Sequence, residues 1–273
     1  MLVPVNAISQ GRVQPLLEAI RNWSKAEVME GYPSSMHSLA LLGRSAGILG
    51  PRIPLMITTA ERLTSTQREE LQDYFGGRVV DQYAFSEPGV FVGECEKGSL
   101  HLVPESGVLE LVPMEGETLN PGGLARIVTT SFHNTAQILL RYDTGDLARV
   151  AEHTRCSCGR ETLIFDSIEG RQSDLLRIET RSGVRYLTPA LLSTAYYGFP
   201  TISRGQVVQI APDALDVLVE LAGHLGEDGK RALVDRFGVI CGTDLQVNIK
   251  TTDEIPLGAA GKFRAVIPWE GSE

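Results

Sequence analysis

The chain has 273 residues, 42% hydrophobic and 22% charged, enough apolar material for one large domain or two small ones and too much for a disordered or fibrous chain. Its 34 acidic and 25 basic residues leave a net charge of -9, the wrong sign for binding a nucleic-acid backbone or an anionic membrane. The most apolar stretch, near residues 40–57, is broken by Arg44 and Arg52, and the first residues lack the basic-then-apolar order of a secretory signal, so a cytoplasmic location is expected.

Leu16, Leu17, Ile20 and Trp23 recur at helical spacing and predict a first helix over 14–23. A turn at 31–35 leads to a second helix from Ser35 to about Leu42, and the apolar run 53–59 reads as a buried strand emptying into a loop. Thr64 and Gln67 have the spacing of a capping box at the start of a third helix, which Gly76 and Gly77 stop. A strand at 78–83 follows. The pattern then changes to short alternating segments at 99–103, 108–112, 125–129 and 138–142, which read as β-structure. The polar link 168–174 looks like a joint. Beyond it come a hairpin over 175–186, a helix from Pro189, strands at 206–210 and 214–221, a helix at 229–237 and a strand at 246–250. The expected fold is an α/β segment and a β-rich core subdomain, joined by a hinge to a small α+β carboxy-terminal domain, with the division at 1–170 and 171–273.

The cysteines form a pattern of their own. Cys156 and Cys158 flank one residue and precede Gly159, a turn that can aim two thiolates at one metal ion but rarely lets them bridge each other. With Cys95 and His101 they make a Cys3His set of the kind that holds structural zinc, and His153 competes for the fourth position. Such a closed site has no open position for catalysis. Cys241 reads as a small core residue.

Five segments in order carry a resemblance. They are Thr58-Thr59-Ala60-Glu61, Asp81-Gln82-Tyr83-Ala84-Phe85-Ser86-Glu87, Arg141-Tyr142-Asp143-Thr144-Gly145-Asp146, Gly170-Arg171-Gln172-Ser173-Asp174 and Gly261-Lys262-Phe263-Arg264. Together they resemble the carboxy-terminal portion of the adenylate-forming ligases, in the branch of phenylacetate–CoA ligase, coenzyme F390 synthetase and CapK. The resemblance implies ATP-dependent activation of a carboxylic acid as an acyl-adenylate, then acyl transfer to a thiol or amine.

It also implies roles. Tyr83 would stack on adenine, with Thr59, Ala60 and Glu61 lining the other side of the base and Ser86 in the same nucleotide loop. Asp146 would accept the ribose hydroxyls and Arg171 would approach ribose and phosphate. Glu87 would hold Mg2+, Asp174 would be the hinge, and Lys262 would be the catalytic cation. Ala84 stands where the family usually has glycine. Coenzyme A or a carrier-protein phosphopantetheine is a possible acceptor, and a small carboxylic acid the substrate.

The family's Ser/Thr/Gly-rich loop for the β- and γ-phosphates does not occur in these 273 residues. A split ligase completed by a separate chain, a fragment of a longer ligase and a degenerate relative all fit this, and the split ligase is expected. The alternatives are a non-catalytic AMP- or acyl-adenylate-binding or scaffold protein of the same fold and, more distantly, a zinc-stabilised interaction module. Nucleic acid and membrane are not expected partners.

Overall fold

The computed structural model describes the chain outside residues 1–7, 9–11, 24–26, 86, 88, 115–116, 154, 181–182, 197, 200, 222, 243–244, 257–262 and 270–273. Two units divide it, Met1–Ile168 and Glu169–Glu273.

The first unit begins with helices and parallel strands: α1 (Val13–Asn22), β1 (Val28–Gly31), α2 (Pro33–Ser45), β2 (Leu55–Thr58), α3 (Ser65–Phe75) and β3 (Arg78–Tyr83). The capping box expected at α3 is present: the Gln67 amide donates to Thr64 Oγ1 at 3.2 Å and the Thr64 amide to Gln67 Oε1 at 3.0 Å. Gly76 closes the helix in the left-handed conformation, φ 69°. Leu17, Met56, Leu71, Phe75 and Val79 are buried between helices and strands. Truncating a buried leucine here, Leu71→Ala, would cost about 2–5 kcal/mol. Pro33 suits the first turn of α2, where its missing amide hydrogen is not needed, so the helix starts two residues before the expected Ser35. The turn read at 31–35 is correspondingly shorter, and β1 precedes it.

The second half of this unit is β-rich: β4 (Phe91–Glu94), β5 (Leu100–Val103), β6 (Gly107–Pro113), β7 (Leu124–Ser131), β8 (Tyr142–Val150) and β9 (Ile164–Arg171). One nine-stranded sheet runs in the order β1-β2-β3-β4-β5-β9-β8-β7-β6. β1, β2 and β3 are parallel, while β4 returns antiparallel to β3. Val92, Leu109, Ile127, Ala148 and Phe165 fill its core. The strand expected at 138–142 is a correction: the segment is not a strand, and β8 starts only at Tyr142. Ile138 and Leu140 are 76% and 71% exposed, so their apolarity reflects no buried strand face. Of the joint read at 168–174, the first four residues finish β9 and Gln172–Asp174 turn as a 3-10 helix, and the two units divide between its first two residues.

The second unit opens with a hairpin of β10 (Leu176–Thr180) and β11 (Gly183–Leu187). α4 (Pro189–Ser193), β12 (Ile202–Ala211), β13 (Ala214–Leu221), α5 (Glu227–Cys241), β14 (Gln246–Thr252) and β15 (Val266–Ile267) follow. A four-stranded sheet, β14-β13-β12-β15, buries Val207, Leu215, Val217 and Val219 with Leu233 and Phe237 of α5. β13 and β14 are parallel, so α5 is their crossover. Cys241 is buried in this core, as its apolar neighbours in the sequence suggest.

Candidate functional site

Tyr83 ends β3, and its hydroxyl donates to Asp146 Oδ2 at 2.8 Å. The position of Asp146 comes from a bulge. Val128 pairs with Asp143 and Arg126 with Leu147, so Thr144, Gly145 and Asp146 together face the single residue Ile127. Thr144 Oγ1 donates to the Ile127 carbonyl at 2.9 Å and accepts from the Asp146 amide at 3.1 Å. Gly145 donates its amide to Asp143 Oδ1 at 3.1 Å and sits at φ 72°, where a side chain would be strained. Arg126 pairs with Asp143 on the same bulge. A Thr-Gly-Asp sequence thus interrupts an otherwise regular ladder and aims a carboxylate at the end of the parallel strands. Phe85 continues the aromatic surface, with ring centroids 6.1 Å from Tyr83 and 6.4 Å from Tyr142.

The loop after β2 closes against α2. The Thr59 amide donates to the Gly31 carbonyl at 3.2 Å, and Ala60 adopts a left-handed φ of 64°. Glu61 Oε2 accepts from the Ser34 amide at 3.1 Å, so this carboxylate serves the positive end of α2. Glu87 is exposed, and its carbonyl accepts from Asn134 Nδ2 at 3.4 Å. Ser86 lies outside the described residues.

Beneath Tyr83 lies a polar network that sequence reasoning did not single out. Thr58 Oγ1 donates to Asp81 Oδ1 at 2.6 Å, and the Asp81 amide donates to Glu94 Oε2 at 2.7 Å. Arg68 Nη2 reaches the same Glu94 oxygen at 2.9 Å. Burial pushes the Asp81 carboxyl up to about 6, opposed by the hydrogen bond from Thr58. The only signal in the sequence was an acid inside an apolar strand.

The four proposed metal ligands converge. One ligand atom from each of Cys95, His101, Cys156 and Cys158 lies within 4.8 Å of every other. Cys95 and Cys156 sulfurs are 3.7 Å apart, and Cys158 Sγ is 3.4 Å from His101 Nε2. Bonds of about 2.3 Å to sulfur and 2.0 Å to nitrogen at tetrahedral angles would separate the ligand atoms by about 3.5–3.8 Å, so the donor set fits a zinc-sized ion. His101 Nδ1 is 3.1 Å from Thr162 Oγ1, a contact that leaves Nε2 turned to the sulfurs. The Lys97 amide donates to Cys95 Sγ at 3.3 Å. The Ser99 hydroxyl lowers the Cys156 thiol to about 6, helped by the Cys158 amide. His153 is exposed and stands apart from this group, which leaves His101 as the fourth member.

In the second unit, Arg264 Nη2 donates to Asp174 Oδ1 at 2.8 Å. The Arg264 carbonyl accepts from the buried Gln206 side chain at 2.8 Å, and Val266 pairs with Val207 in β12. Asp174 ends its 3-10 turn, while the neighbouring Glu169 is buried and accepts from Thr188 Oγ1 at 2.6 Å. Arg171 is exposed. Lys262 lies outside the described residues.

Residues 180–268 match the CapK C-terminal domain family. Protein CapK of Staphylococcus aureus is 26% identical over 258 residues, covering 90% of this chain and 54% of that protein. A phenylacetate-coenzyme A ligase of Thermus thermophilus is 31% identical over 185 residues, 65% of this chain and 40% of that protein. The chain therefore spans about half the length of these relatives. Among solved structures, 2-hydroxyisobutyryl-CoA ligase in a postadenylation complex superposes with a TM-score of 0.75 at 18% identity, over 96% of this chain and 58% of that one. An anthranilate CoA ligase in complex with anthranoyl-AMP gives 0.69 at 16% identity, over 94% and 51%. These structures share the mixed α/β fold with its large sheets. No helix among the described residues is long and apolar enough to cross a membrane.

Proposed function

Since the chain belongs to the CapK- and phenylacetate–coenzyme A ligase-like branch of the adenylate-forming ligases, matching its carboxy-terminal portion, we propose that it supplies the adenosine-binding half of a ligase that activates a small carboxylic acid. A carboxylate oxygen attacks the α-phosphorus of ATP, the bond to the bridging oxygen breaks, and pyrophosphate leaves an acyl-adenylate. A thiol or an amine then attacks the acyl carbon and AMP departs. Coenzyme A is the acceptor the relatives' names favour, with a carrier-protein phosphopantetheine as the other thiol acceptor.

The observation that carries this reading is the Tyr83–Asp146 contact, an aromatic ring and a carboxylate joined at the end of the parallel strands. Tyr83 offers its face to adenine, and Asp146 receives ribose hydroxyls. Thr59, Ala60 and Glu61 flank the base, Glu61 from its seat on α2. Ser86 belongs to the same nucleotide-binding set, and Arg171 approaches ribose and phosphate. Lys262 neutralises the charge shared between the attacking carboxylate and the α-phosphate, and Asp174 is the hinge of a mobile domain that delivers it. Glu87 presents a hard carboxylate oxygen suited to Mg2+, which would screen the phosphates. Cys95, His101, Cys156 and Cys158 would hold structural zinc, tying the turn after β4 to the turn before β9.

A separate chain would provide the loop for the β- and γ-phosphates, which does not occur in these 273 residues. Carboxylate-dependent exchange of pyrophosphate into ATP, measured with a panel of acids and with the relatives' amino-terminal half added in trans, tests the proposal. Exchange that needs both polypeptides is expected. Absence of exchange from every combination, with no AMP binding by this chain, would overturn it.

A further inference from the structure

The ladder between β3 and β4 pairs only Gln82 with Gly93 and Tyr83 with Val92. At the next step the Asp81 amide finds a side chain in place of a backbone carbonyl, donating to Glu94 Oε2 at 2.7 Å. The same oxygen takes Arg68 Nη2 at 2.9 Å, and Arg68 Nη1 donates to the Val79 carbonyl at 2.8 Å. The Glu94 side chain is 8% exposed. A nearly buried carboxylate and a guanidinium thus fasten α3, β3 and β4 at one point, two residues before Tyr83. The Tyr83–Asp146 hydrogen bond tolerates only a few tenths of an ångström, so the strand end must be held to similar precision.

From this we infer that Glu94 and Arg68 are positioning residues of the nucleotide cleft: their ion pair clamps the Asp81 amide and so sets the strand that brings Tyr83 to Asp146. The inference rests on the reading of that cleft as an AMP site. Neither residue is among those proposed to contact the nucleotide. A charge-assisted hydrogen bond is worth more than a neutral one, and removing one partner leaves the other buried and unpaired.

The test compares Glu94→Ala, Glu94→Gln and Arg68→Met in the full chain by AMP calorimetry, thermal melting and amide hydrogen exchange at Asp81 and Tyr83. Glu94→Ala and Arg68→Met are expected to weaken AMP binding about tenfold or more, in line with the loss of one charged hydrogen bond, and to speed exchange at Asp81. Glu94→Gln keeps a carbonyl oxygen for the Asp81 amide and is expected to restore both readouts to within about threefold of the parent. A filler of the fold alone would show no such rescue at equal melting temperature. Unchanged exchange at Asp81 and Tyr83 in folded Glu94→Ala overturns the inference whatever the nucleotide does. Failure of the unaltered chain to bind AMP overturns the reading of the cleft instead.

Discussion

The Tyr83 hydroxyl lies 2.8 Å from Asp146 although 63 residues separate them in sequence. The contact joins the last residue of a parallel strand to a bulge in the antiparallel part of the sheet, and on the proposed reading it would preorganise the ring and the carboxylate for nucleotide. Tyr83→Phe removes the donor and keeps the aromatic face. AMP affinity is expected to fall less than about tenfold, the scale of one neutral hydrogen bond. Tyr83→Ala removes the face as well and is expected to lose clearly more. Calorimetry on the pair decides, and equal losses would show that stacking contributes nothing.

Asp81 links stability to pH. Its carboxyl rises from 3.8 to about 6 in the fold, through burial first and the neighbouring Glu94 carboxylate in part, with Thr58 and Arg68 opposing. Between these values the folded chain retains a proton that the unfolded chain has released, so the stability this group contributes is lost as pH rises through about 6. The ionised form costs about 3 kcal/mol at neutral pH. Asp81→Asn is therefore expected to match the parent near pH 4 and to exceed it near pH 7. Denaturant melts across that range would show parallel curves if Asp81 ionises normally.

The cysteine and histidine cluster predicts a metal requirement. One zinc per chain is expected on purification, released by a strong chelator and absent from Cys158→Ser. Its loss should lower the melting temperature by about 5 °C or more, since 1 kcal/mol moves a domain of this size by about 2–4 °C. An unchanged melt after demonstrated metal removal would contradict a structural role.

Much of this was legible in the sequence, and the reasons differ by residue. The capping box at Thr64 and Gln67 and the Cys-Ser-Cys turn are local, so spacing alone exposes them. His101 could be told from His153 only in three dimensions, because the choice depends on which strand lies beside Cys158. Glu94, Arg68 and Asp81 were missed for the same reason: their bonds cross three elements and leave no periodic trace. Ile138 and Leu140 misled because an apolar run implies burial that the fold does not provide.

Arg264 and Asp174 form a half-exposed pair at 2.8 Å, worth less than about 1 kcal/mol to stability. Arg264→Ala should leave the melt nearly unchanged. Because this arginine lies two residues after Lys262 and holds the proposed hinge acid, acid activation and acyl transfer are expected to change unequally. Separate assays of the two half-reactions check this, and equal changes would contradict a role at the hinge. Lys262→Ala, by contrast, should reduce pyrophosphate exchange about 100-fold or more while leaving AMP affinity nearly intact.

The central claim, that this chain carries an adenosine-binding cleft closed by Tyr83 and Asp146, is tested most directly by titrating AMP into the unaltered chain and into Asp146→Ala. One site per chain, with saturation lost in the variant while its fold persists, is the predicted result. Equal binding by both proteins, or none by the unaltered chain, would contradict it.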